Sequence, residues 1–129
     1  MQLEAKKYLH DIHEAIGLLD QFTGSKTLAD YVTDPMLRAA VEREFEIVGE
    51  ALSQLARIDA DIASRIADYR QIIAFRNILI HAYAQIDDRL VWDIVETKLP
   101  DLRRSEAVAG RVTRSAVGVA ETDNSYFTS

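Results

Sequence analysis

Apolar residues recur along this chain at spacings of three and four, the period of a helix with one buried face. Ala5, Leu9, Ile12, Ile16 and Leu19 follow that period, which predicts a first helix over residues 3–22. Thr23-Gly24-Ser25 ends it, with Gly24 expected as a left-handed cap, and a short segment over 27–31 follows. Asp34-Pro35 reads as an N-cap followed by proline at the first helical position. The helix it opens is expected to reach residue 58. Leu37, Val41, Phe45, Val48, Leu52 and Leu55 form one stripe on it, and Ala40, Ile47, Ala51 and Ile58 a second. A face that wide can meet two neighbours. Gly49 lies inside this helix at a cost of about 1 kcal/mol relative to alanine, which close approach of another helix would offset.

Residues 59–67 allow a short helix, and a further one is expected from residue 69 to 81 or 83. This helix is apolar on nearly every side before Arg76, a breadth suited to burial in a bundle, or in a bundle plus a subunit interface. Ile86-Asp87-Asp88 reads as a turn and cap, followed by an amphipathic helix with Leu90, Val91, Ile94, Val95 and Leu99. Pro100 kinks or restarts it, and Leu102 is expected to make the last core contact. Without runs of β-branched residues in period-two alternation, and with two prolines and five glycines, the chain reads as an all-α bundle of four to five helices. From Ser105 onward, Ala107-Val108-Ala109-Gly110 and Val117-Gly118-Val119 show no helical period. Residues 1–104 are therefore expected as the helical domain and 105–129 as a flexible tail with at most a helical start.

The 129 residues make one domain, large enough to bury a core. The absence of cysteine removes disulfides and thiolate zinc sites from consideration. No apolar run is long enough to span a bilayer, and the first residues lack the layout of a signal peptide. A soluble, cytoplasmic protein with no membrane partner is expected. The net charge of −6 and pI near 5.0 argue against nucleic-acid binding through a broad basic surface. They leave room for a nuclease whose cations are confined to a cleft.

Candidate chemistry concentrates in Arg76-Asn77-Ile78-Leu79-Ile80-His81-Ala82-Tyr83. Arg76 offers a permanently charged fork suited to phosphate, and His81 titrates near neutrality. Arg76 alone reads equally well as a structural arginine paired with Glu46 or Glu50, and His81 or Tyr83 alone as packing residues. Only their combination points to phosphodiester chemistry. On an ideal helix Asn77 and His81 share a face, whereas Arg76 and His81 lie about 140° apart. A second copy facing the first across a two-fold axis would bring the groups together. Glu50 could reach inward to orient Arg76 or His81, although the carboxylates of this helix mostly read as a solvated face. His10 and His13, one turn apart, lack a third metal ligand and read as solvated. The chain contains no Glu-x-x-His pair, glycine-rich phosphate loop or His-Glu-x-x-His.

Arg76-Asn77-x-x-x-His81 resembles the Arg-x4–6-His signature of HEPN ribonucleases, and the longer form through Tyr83 resembles the HepT toxins of HepT/MntA toxin–antitoxin systems. Phe45-Glu46-Ile47-Val48-Gly49-Glu50-Ala51 is similar to the family's Ile-Gly-Glu-Ala segment, with Val48 where isoleucine is usual. Val91-Trp92-Asp93-Ile94-Val95 and Leu99-Pro100-Asp101-Leu102 resemble its closing helix. Ala84 departs from the aromatic or aliphatic residue usual after the tyrosine. The resemblance covers about residues 1–103.

It implies a HEPN-type antiparallel bundle that forms a homodimer through the motif helices. It also implies a type VII-like toxin that cleaves RNA without metal or other cofactor. His81 would be the general acid or base, Arg76 would hold the scissile phosphate, and Asn77 would orient the phosphate or the imidazole. Tyr83 would be the tyrosine to which an MntA-like nucleotidyltransferase antitoxin adds AMP. The alternatives are a non-catalytic HEPN module that binds nucleotide or substrate for such a nucleotidyltransferase, and a dimeric scaffold with a structural Arg–carboxylate pair.

Overall fold

The computed structural model describes residues 3–81 and 86–120, with side chains through Thr113. Among these residues there are seven helices and no strand: α1 (Leu3–Thr23), α2 (Leu28–Thr33), α3 (Pro35–Ile58), α4 (Ala60–Ser64), α5 (Tyr69–His81), α6 (Asp88–Thr97) and α7 (Leu99–Ala120). Two of them, α2 and α4, are short, which leaves five long helices as the bundle.

Local chemistry explains most of the boundaries. Thr27 and Asp30 form a reciprocal capping box on α2. Asp34 accepts from the amides of Met36 and Leu37 at 3.0 and 3.1 Å, with Pro35 opening α3. Asp59 caps α4 and Asp87 caps α6. Asp68, just before α5, takes a φ of 57°, a left-handed conformation that aspartate tolerates better than most residues. Its side chain lies 3.4 Å from the Lys98 ammonium between α6 and α7. Gly24 departs from expectation, since no glycine among the described residues has positive φ. Its amide donates to the Asp20 carbonyl at 2.9 Å, so the chain continues the helical pattern through Gly24 instead of reversing there.

The central helix is α3, packed on α1 along one side and α5 along another. Both expected stripes serve this role: Leu37, Val41, Phe45, Val48, Leu52 and Leu55 are buried, while Ile47 and Ile58 pack against the core from its margin. On α6 the buried set is Val91, Trp92, Ile94 and Val95, and Leu90 is 40% exposed. Trp92 takes the place expected for Leu90 because its indole packs on Tyr31, with ring centroids 5.3 Å apart.

The end of the domain also departs from expectation. Helix α7 runs through position 105 to Ala120, and Glu106, Ala109 and Thr113 are buried. It lies antiparallel on α1, tied by Arg103 to Asp20 at 2.7 Å and by His13 to Glu106 at 3.0 Å. Small residues such as Ala109 and Gly110 are buried along this helix. They dock without the large apolar side chains that reveal a helical period, so the composition change at 105 does not mark the end of packing. Leu102 is buried but is not the last core contact. Residues 121–129 lie outside the described residues.

Tyr31 is completely buried, and its hydroxyl has no hydrogen-bond partner among the described residues. Burial, then the nearby Glu42 and Asp88, push its ionisation upward. A buried hydroxyl without a partner costs about 1–3 kcal/mol. Tyr31→Phe is therefore expected to raise the thermal midpoint by roughly 4 °C per kcal/mol recovered, read by a circular dichroism melt. A lowered midpoint would show that the hydroxyl has a partner.

Candidate active site

Helix α5 has a buried strip and an exposed outer one. Ile72, Phe75 and Leu79 are buried against the core, and Phe75 meets the Phe45 ring edge-on at 5.3 Å. Arg70, Gln71, Ala74, Asn77, Ile78 and His81 line the outer face and are exposed. Arg76 lies between these strips. Its stem crosses α3 at Gly49, where an added Cβ would stand 2.2 Å from Arg76 Cβ and 3.3 Å from the Ile72 carbonyl. The close approach expected at Gly49 is thus made by Arg76 itself.

Beyond that crossing the guanidinium divides its hydrogen bonds. Nη2 donates to Glu50 Oε2 in a close ion pair, and Nη1 donates to Asn77 Oδ1 at 2.7 Å. Glu50 also accepts from Gln54 Nε2 at 3.0 Å. The Gln54 hydrogen bond first, and Arg76 with it, hold the Glu50 carboxyl below its usual range. Of the two carboxylates considered for Arg76, Glu50 takes it, and Glu46 pairs with Arg43 at 3.5 Å.

The Arg76 side chain is 23% exposed and that of Glu50 48%. A pair this open to water contributes only about 0–1 kcal/mol, so stabilising the fold is a weak reason for a charge at position 76. The arrangement instead holds a cationic fork at the surface with its direction set from both sides. An incoming phosphate would meet the same donors that now face Glu50 and Asn77.

His81 is the last residue of α5, exposed, and its side chain makes no hydrogen bond or ion pair among the described residues. It lies one turn beyond Asn77 on the outer face, so Asn77 connects the arginine to the histidine side of the helix. The fold brings Arg76, Asn77 and Glu50 into contact and leaves His81 as their neighbour along the helix. Tyr83, the expected modification site, lies outside the described residues. Gln54, which steadies Glu50, carried no signal in the sequence beyond its place one turn after Glu50.

The two histidines of α1 each lie beside a carboxylate. His10 lies 4.0 Å from Glu14, and His13 holds Glu106. No cluster of three or more ligating side chains occurs among the described residues.

Substitutions at two positions separate the structural and chemical roles. Gly49→Ala should destabilise the protein, because a clash with α5 of about 1–3 kcal/mol outweighs the gain of about 1 kcal/mol in helix propensity. Arg76→Lys, which keeps the packed stem, should shift stability by less than about 1 kcal/mol, and Arg76→Ala by about 1–2 kcal/mol through loss of that packing. Urea denaturation of these variants checks the order. A loss of several kcal/mol in Arg76→Ala would mark the arginine as a structural element.

Comparison with known proteins gives the same direction. The family model described as Ribonuclease HepT-like matches residues 12–106. A probable ribonuclease HepT from Thermococcus cleftensis is 35% identical over 103 residues, covering 80% of this chain and 93% of that protein. A putative RNase from Methanocaldococcus jannaschii is 32% identical over 103 residues, covering 78% of this chain and 92% of the relative. A second protein of that organism, named gamma-glutamylcyclotransferase and putative RNase, is 34% identical over 103 residues, and the match spans 46% of its length. No solved structure matches the chain.

Proposed function

The chain belongs to the HepT-like ribonuclease family, and from that premise we propose that it is a metal-independent endoribonuclease toxin acting through Arg76, Asn77 and His81. The observation that carries this reading is the Arg76 fork, fixed at the surface by Gly49 and Glu50 and linked through Asn77 to the face that bears His81. Arg76 binds the scissile phosphate in place of Glu50 and offsets the charge that grows on its oxygens as the bond breaks. His81 takes the proton of the ribose 2′-hydroxyl, or supplies one to the departing 5′-oxygen. The 2′-oxygen bonds to phosphorus and the P–O5′ bond breaks, leaving a 2′,3′-cyclic phosphate and a 5′-hydroxyl. Asn77 orients the phosphate or the imidazole.

The outer face of α5 supports a homodimer built on this helix. Ala74 and Ile78 lie exposed between Arg70, Asn77 and His81 on one side and Gln71 on the other. Covering these apolar groups with a second copy would place two Arg76–His81 sets along one cleft. That cleft concentrates positive charge locally in a chain of net charge −6. The partner is an MntA-like nucleotidyltransferase antitoxin that adds AMP to Tyr83. An anion of that size added to the motif would compete with RNA phosphate for Arg76 and repel the strand.

Purified protein in excess chelator is expected to cleave a mixed cellular RNA pool and leave cyclic phosphate ends. His81→Ala should be slower by at least about 100-fold, the lower end of general acid–base contributions. No cleavage by wild-type protein shown by mass to be free of AMP would favour the non-catalytic nucleotide-binding module. Tyr83→Phe should keep most of the cleavage activity and escape silencing by the antitoxin. Undiminished AMP transfer to that variant would refute the assignment of Tyr83.

A further inference from the structure

We propose that the groove between α1 and α3 is a subsite for a nucleotide flanking the scissile bond of single-stranded RNA, an inference that rests on the ribonuclease reading above. The groove has a volume of about 430 Å3 and Glu50 forms part of its wall, so it opens from the same carboxylate that holds the phosphate-binding fork. Its size falls in the range of pockets that take a small ligand. Arg43, also in the wall, lies two turns before Glu50 on α3, roughly 10 Å along the axis. That is the span of a nucleotide or two of unstacked strand.

The groove offers the two things that single strands bind, cations for the backbone and an aromatic face for a base. Lys7 lies with its ammonium 5.6 Å from the centre of the partly buried Tyr8 ring. It makes no ion pair among the described residues. The Arg43 side chain is 68% exposed and reaches Glu46 at 3.5 Å, a contact loose enough to yield to a phosphate. Glu46 and Glu50 already face arginines, and Asp11 in the wall is placed to accept from an exocyclic base amine. Counting Lys7, Arg43 and Arg76 against Asp11, Glu46 and Glu50, the path to the reactive centre is electrically balanced. The chain as a whole carries −6, so this path is less repulsive to RNA than the average surface.

Binding of a 2′-O-methyl single-stranded oligonucleotide, which a 2′-hydroxyl-dependent nuclease cannot cleave, tests the subsite apart from catalysis. Fluorescence anisotropy across a salt series would compare the wild-type chain with the double variant Lys7→Ala, Arg43→Gln. Each single-strand phosphate contact contributes a slope of about 0.7 in log affinity against log salt. The double variant should therefore bind roughly tenfold more weakly near physiological salt, with the slope shallower by up to about 1.4. Unchanged affinity and slope in a variant with a wild-type circular dichroism spectrum would rule the subsite out, as would absence of binding by the wild type. A tenfold loss in binding together with no cleavage by the wild type would instead retain the subsite and reject the nuclease reading.

Discussion

The approach of α5 to α3 at Gly49 is the contact on which the site depends. A helix surface normally keeps its neighbour away by the width of its side chains, and at this position there is none. The stem of Arg76 fills the vacated space, which sets the height of the guanidinium above the core and its place beside Glu50. Phe45 and Phe75 close the same interface through their ring contact. The cationic fork is therefore aimed by backbone proximity and apolar packing, and the ion pair trims the direction. Cores transmit position well because they are close-packed and resist small displacements. A methyl group at position 49 would act on the chemistry through geometry alone.

The electrostatics follow from that placement. A fully buried arginine would need an equally buried carboxylate, with a desolvation cost that few pairs recover. Here the charged ends lie near water while the arginine stem is packed, which keeps the guanidinium available to a ligand at little cost in stability. In the proposed reaction Glu50, held by Gln54, would be displaced from Arg76 by the phosphate. In an acidic protein of the HepT-like ribonuclease family, Arg76 thereby sets a partly exposed cationic group beside a groove whose charges nearly balance. The broad basic surface common among nucleic-acid-binding proteins is absent from its composition.

The helices and their buried faces were legible in the sequence because they arise from local periodicity. The stripes of α1 and α3, the cap at Asp34, the turn at Asp87 and the span of α5 appear where the spacing of residues puts them. The octet around Arg76 stood out for a similar reason, since polar groups interrupt an apolar run within two turns. The misreadings share the opposite character. Leu90 fits the helical period, yet Trp92 is buried because Tyr31 waits on another helix. Gly24 carried a generic preference that the local hydrogen bonding did not require. Helix α7 docks through the His13–Glu106 contact and buried positions at Leu102, Glu106, Ala109 and Thr113, a helical spacing carried partly by a charged and a small residue, which a search for large apolar side chains passes over.

The sequence by itself determined the helical elements, their core-facing sides and the residue types available for chemistry, because each depends on neighbours within a few positions. It also supplied the motif by which the family could be identified. Only the tertiary structure decided which carboxylate holds Arg76, that Gly49 is the seat of its stem, and that Asn77 receives its second hydrogen bond. The same holds for the groove that joins Lys7 of α1 to Arg43 of α3. These relations join residues distant in sequence, with Glu50 and Arg76 separated by 26 positions. They are settled by the packing of helices against one another, which many combinations of local periods permit and one arrangement of shapes and charges selects.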